Sequence, residues 1–254
     1  MKTTFILLAS TAALVAFASP RVAHASLILT TSTGQPAGSV AASFTDIGAQ
    51  GFGNAPRMLT LQTNGVETGN VTPVNIVHGD AVSGANKSTT PTLSALSWDS
   101  GAEVGIGFNS DQTGGNGITM QSLTLTIYGT NGTTVLGTFN LATAPITFTQ
   151  ADLTLQQGNG NAIFNFGLNA AEQTQFNTIL AMAGSSGFFA GLGSQLGCPA
   201  GAPASCLVSD DGPDSFLGFQ QPGVTPPPLP EPSTLAVLGM GLLGLAVLAR
   251  RRPV

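Results

Sequence analysis

From Leu123 to Ile127 apolar residues alternate with threonines, within a longer segment Ile118–Tyr128. Period two puts Leu123, Leu125 and Ile127 on one face and Thr124 and Thr126 on the other, which predicts a half-buried strand. Gly129-Thr130-Asn131-Gly132 supplies a hairpin turn, and Thr133–Leu141 returns as its partner. Shorter apolar segments predict further strands at 27–29, 39–45, 58–63, 93–98, 103–109, 145–149, 153–156, 162–168, 187–192 and 215–219. One segment changes period. Asn169 can cap a helix with Glu172 three residues on, and Phe176, Ile179 and Leu180 then share a face. That helix is expected to end near Met182–Gly184. Many short strands separated by turn signals predict a mainly β domain over residues 26–220. The expected form is an antiparallel β-sandwich, jelly-roll-like, with one short helix. No internal repeat is evident, which disfavours a solenoid or propeller.

The two ends follow other rules. Lys2 precedes an apolar stretch from Phe5 to Ala18, and Ala23-His24-Ala25 places small residues where signal peptidase reads them. Residues 1–25 are therefore expected to be a secretory signal handled by the Sec machinery, with Ser26 the mature N-terminus; cleavage after Ala18 is the fallback. At the other end, 221–232 is a proline-rich linker whose Thr225–Pro230 stretch favours extended polyproline II. Residues 233–254 read as a transmembrane helix and its stop. Ser233 to Ala249 carries no charge and spans roughly 26 Å as a helix, just short of a ~30 Å hydrocarbon core. Arg250, Arg251 and Arg252 then pin the C-terminus on the cytoplasmic side. Gly239, Gly241 and Gly244 match the spacing of a dinucleotide loop, but no strand precedes them and no acid follows, so that reading is rejected.

Pro230-Glu231-Pro232-Ser233, the apolar helix and the arginine cluster together resemble the PEP-CTERM sorting tail of Gram-negative bacteria. The resemblance covers about a tenth of the chain. It implies recognition by an exosortase, processing near Pro230–Pro232, and passage from the inner membrane to the cell surface or exterior. In that family export often accompanies exopolysaccharide production. Such tails are sometimes labelled an ice-binding-protein C-terminal domain, but a helix buried in lipid cannot meet ice. A plain membrane anchor is the simplest competitor. A GPI signal would end in apolar residues rather than arginines, and a Gram-positive sortase motif would need a Thr-Gly pair that is missing here.

Charge narrows the partners. Between Ser26 and Leu229 only Arg57 and Lys87 are basic against eleven acids, a net charge of −9. Nothing neutralises phosphates, so nucleic acid is not expected as a partner. Thr, Ser, Asn and Gln carry the solvation, which suits an exported protein. Cys198 and Cys206 lie in the exported part and are expected to pair in an oxidising compartment.

Catalytic chemistry is weakly signalled. His78, beside Gly79-Asp80, is the lone histidine after the signal, and no Gly-x-Ser-x-Gly elbow occurs. No catalytic residues are assigned, and the chain is not expected to be an enzyme. No cofactor is expected, with calcium the one possible ligand. Asp210, Asp211 and Asp214 crowd carboxylates into a Gly-Pro turn, the kind of oxygen set that calcium takes. Asn109–Gly114 resembles the start of an EF-hand loop, but Met120 stands where its glutamate should be. Thr124 and Thr126 share a face, but an ice-contacting surface would need a flat array of several such residues. Trp98 reads as core, with sugar stacking the alternative. The expected role is an exported surface or extracellular-matrix protein of structural or adhesive type, touching exopolysaccharide. The alternatives are a glycan- or calcium-binding module and, behind these, a secreted hydrolase. An open aromatic platform near Trp98 or Tyr128 would favour glycan binding.

Overall fold

A computed structural model describes residues 26–46, 55–84, 86–112, 117–156, 162–210 and 212–221. The strands are β1 Ser26–Thr30, β2 Phe44–Asp46, β3 Arg57–Leu61, β4 Val66–Thr72, β5 Ile76–Gly79 and β6 Val104–Asn109. They continue with β7 Ile118–Tyr128, β8 Val135–Leu141, β9 Ile146–Phe148, β10 Ala162–Leu168, β11 Phe189–Gly197 and β12 Asp214–Gln220. Two α-helices interrupt them, α1 Gln150–Leu153 and α2 Ala170–Leu180.

The mainly β expectation holds, but the layers arise differently from the two separate sheets of a sandwich. All twelve strands belong to one sheet, ordered β3-β12-β6-β10-β1-β8-β7-β11-β4-β5, with β2 on β10 and β9 on β7. One pair departs from the antiparallel rule: β1 runs parallel to β8, pairing Ser26 with Asn140 and Leu27 with Leu141. The sheet rolls until its halves face each other. Phe148 on β9 reaches across to Phe108 on β6 and Phe164 on β10, with ring centroids 5.0 and 4.8 Å apart. Phe108 in turn lies 4.9 Å from Phe216 on β12. Beyond this column Phe176 on α2 meets Trp98 and Phe139. The far edges nearly join, since Leu61 of β3 bridges Ala81 just past β5 and Val82 N–H donates to the Thr60 carbonyl at 2.8 Å. Rolling leaves β3 no open edge on that side, and open edges invite aggregation.

The clearest sequence signals give the most faithful elements. β7 and β10 fall on their expected ranges, and α2 starts at the expected cap, where Asn169 and Glu172 form a reciprocal capping box. Three expectations are corrected. Residues 93–98 form turns rather than a strand, because the Thr92 hydroxyl accepts from Ala95 N–H and draws the backbone away from a ladder. Residues 153–156 close α1 and a 3-10 turn, since Thr149 and Asp152 make a second capping box. Residues 39–45 hold a 3-10 turn at Ala41–Ser43 before β2. β4 and β5 have no sequence forecast. The inward positions of β4 are Glu67, Gly69 and Val71, so a carboxyl and a glycine interrupt the apolar alternation.

The aromatic column joining the halves should dominate stability. Phe164→Ala is expected to cost about 3–5 kcal/mol, and a Cys198→Ser, Cys206→Ser double variant about 2.5 kcal/mol. Urea titrations followed by fluorescence of the single buried tryptophan, Trp98, measure both.

Candidate functional site

The sorting and anchoring residues Pro230, Glu231, Pro232, Ser233 and Arg250–Arg252 lie outside the described residues, as do Ala23 and Ala25. No described helix is long and apolar enough to cross a membrane. The expected mature N-terminus, Ser26, is the first residue of β1. At the other end Gln221 is buried on the outer side of β10. Its amide donates to Thr30 Oγ1 at 3.2 Å and to Asn165 Oδ1 at 3.4 Å, and its backbone N–H donates to the Glu103 carbonyl at 2.9 Å. The chain therefore leaves the described fold through a fixed point.

The three aspartates considered for calcium separate. Asp214 opens β12 fully buried, and its carboxylate accepts from Asp111 N–H at 3.1 Å and from Gln112 Nε2 at 3.1 and 3.3 Å. Asp210 is half-buried, and its N–H donates to Gln112 Oε1 at 2.8 Å; Asp211 lies outside the described residues. Gln112 thus bridges the turn that the carboxylates were expected to share. Among the described residues no group of three or more His, Cys, Asp or Glu side chains could hold a metal ion. Cys198 and Cys206 form the expected disulfide, with Cα atoms 5.8 Å apart. The closed loop sits against β7, where Leu207 N–H donates to Thr119 Oγ1 at 2.8 Å. His78 lies on strand β5 rather than in a loop, with Nε2 3.4 Å from Thr72 Oγ1. Trp98 is core, its indole N–H donating to the Phe219 carbonyl at 2.9 Å, and so offers no stacking platform.

Two concavities among the described residues stand out. One, of about 380 Å³, is an apolar cleft between β1 and residues 36–40, walled by Leu27, Leu29, Pro36, Val40, Leu141 and Ile146. The other, of about 250 Å³, is a polar trough across β7, β11 and β4. Its floor is Gly191 and Gly193, its sides Thr124 and Thr126 opposite Asn70, and Tyr128 closes one end. Thr126 faces Thr138 across the β7–β8 pair, but the next column is glycine, so the hydroxyl array stops at the trough. Thr124 is already engaged, its Oγ1 2.9 Å from Asn140 Oδ1. Sequence reasoning missed this trough because β11 was expected to end at Leu192 and β4 was not foreseen.

Glu67 is the least expected feature. It points inward from β4, fully buried; Ser209 Oγ donates to its Oε1, while Oε2 has no hydrogen-bond partner among the described residues. Burial pushes its carboxyl up to about 8 from an ordinary 4.5, with the Ser209 hydrogen bond opposing and the nearby Asp214 and Asp80 adding to the rise. Burial likewise lifts Asp214 and Glu172 to about 7. A carboxyl raised in the folded state binds more protons there than in the unfolded chain between the two values. Stability from these groups is therefore full below about pH 4 and falls as pH rises through 7 to 8. Glu67→Gln, which mimics the neutral acid, is expected to raise Tm at pH 9 by on the order of 5 °C and to leave it nearly unchanged at pH 5. Thermal melts across that range check this; equal shifts at both pH values would refute it.

No curated protein and no solved structure matches the chain. The family model described as the PEP-CTERM protein-sorting motif does match, at residues 228–252. The C-terminal tenth of the chain thus carries a PEP-CTERM sorting motif, which marks this protein as an exosortase-targeted export to the cell envelope or surface.

Proposed function

We propose that the β domain serves outside the inner membrane as a structural or adhesive component of the cell surface or extracellular matrix, and not as an enzyme. The observation that carries this reading is the sorting motif at 228–252 joined to a domain whose outer face across β7, β11 and β4 forms an uncharged trough lined by Thr124, Thr126 and Tyr128. Exosortase processing separates the domain from the membrane helix after the signal has taken it through Sec and signal peptidase. A rolled sheet with a continuous aromatic core and one disulfide suits a module that must persist without chaperones. Its acidity suits solubility rather than nucleic-acid contact. The glycan-binding alternative gains support from Tyr128, whose half-buried ring stands at one end of an open trough. The calcium alternative rests on the sequence of the Asp210–Asp214 turn alone.

Mass analysis of the protein from membrane, outer-surface and medium fractions tests this reading. The expected result is a species starting at Ser26 and lacking Arg250–Arg252 in the outer fractions. Replacing Pro230, Glu231 and Pro232 with alanine is expected to hold the chain in the inner membrane. Extracellular material with Arg252 intact, or unchanged sorting of that variant, would refute it.

A further inference from the structure

We propose that the trough at Thr124, Thr126, Tyr128, Gly191, Gly193 and Asn70 is a subsite for an uncharged polysaccharide chain. This deepens the reading above, since such a polymer is met only if the domain is delivered outside.

The argument starts from shape. On β11 the outward positions 191 and 193 are both glycine, so two ridges of side chains, β7 and β4, flank bare backbone. A Cβ on Gly191 would stand 2.7 Å from the Val71 carbonyl and 2.8 Å from Tyr128 Cε2. The tyrosine ring thus lies against the glycine, and a side chain at 191 would displace it. At about 250 Å³ the trough is smaller than sites that enclose a whole small molecule. It fits a polymer gripped along its length, one unit at a time.

The chemistry points the same way. A sugar ring offers hydroxyls at its rim and apolar C–H faces, so it needs amide and hydroxyl partners beside an apolar surface. Residues Asn140, Thr124, Gly193, Asn70 and His78 align in one outward row across five strands. At ~4.8 Å per strand that row is about 19 Å long. The parallel row Val135, Tyr128, Phe189 supplies the apolar strip, with Val135 54% exposed. An aromatic ring next to convergent polar groups is the usual way to hold such an amphipathic ligand.

Charge selects among polymers. No charged side chain lines the trough, and Arg57 and Lys87 are the domain's only arginine and lysine. Arg57 lies on β3, outside the trough. An acidic polysaccharide would meet a net negative domain with no cation at the site, so the ligand is neutral.

The chain has a single tyrosine, so fluorotyrosine labelling places one fluorine reporter at the site. The full-length chain in detergent is titrated with dextran, galactomannan and hydroxyethyl cellulose, and with alginate as the acidic polymer. The same set is used in affinity electrophoresis. The expected result is a shift of the single fluorine resonance and retarded migration with at least one neutral polymer, and neither with alginate. Tyr128→Ala is expected to weaken retardation by at least about tenfold, Asn70→Ala by less, and Tyr128→Phe to keep most of it. Buried Trp98 fluorescence verifies that each variant is folded. No response to any neutral polymer, equal retardation of folded Tyr128→Ala, or preference for alginate would overturn the proposal. So would a dimer that Tyr128→Ala abolishes, since it would assign the face to a second copy of the chain. Binding by detergent-extracted precursor does not depend on sorting, so failure here leaves the delivery reading standing, and failed processing leaves this one standing.

Discussion

The contact between Phe148 and the pair Phe108 and Phe164 is what the architecture hangs on. A sheet of this many strands left open would expose one whole apolar face. Rolling it brings β9 over β6 and β10, and the phenylalanines fill the gap between halves. Once that contact is fixed, the inner positions of every strand are fixed too, because a one-residue slip would invert each of them. The outer face then follows by exclusion. Thr124, Thr126 and Tyr128 face outward because Leu123, Leu125 and Ile127 are held inward.

How much of this could be read from the residues depended on how strictly each strand kept its period. β7 alternates cleanly and was legible to the residue. α2 was legible because Asn169 and Glu172 pair locally, with no help from the rest of the fold. β4 was not, because its inward position 67 is an acid. Only tertiary context makes that acceptable: Ser209 comes from a segment 142 residues away to donate a hydrogen bond. The parallel β1–β8 pair was equally hidden, since parallel pairing is settled by chain crossing and not by local pattern. The trough is a relation between three strands, one of them unforeseen.

The sorting tail shows the opposite limit. A proline-marked stem, an apolar stretch and three arginines act through composition and order, which need no fold to be recognised, and the sorting motif was legible from its residues. The buried carboxyls mark the cost of the β domain's design. Glu67, Asp214 and Glu172 are most comfortable neutral, so the domain is better suited to mildly acidic surroundings than to alkaline ones.

The placement of the exit relates the two functions. Gln221 docks on the outer side of β10, in the half of the roll that contains β6 and β12. The trough lies on the outer side of β7, β11 and β4, in the other half. Because the halves meet through their inner faces, these two outer surfaces look in opposite directions. Gln221, the last described residue before the sorting motif, thus occupies the first surface and not the second. The hydrogen bonds of Gln221 with Thr30 and Asn165 are what hold the end of the described fold on that first surface. A glutamine that would pass for ordinary linker composition is therefore the joint between the fold and its sorting signal.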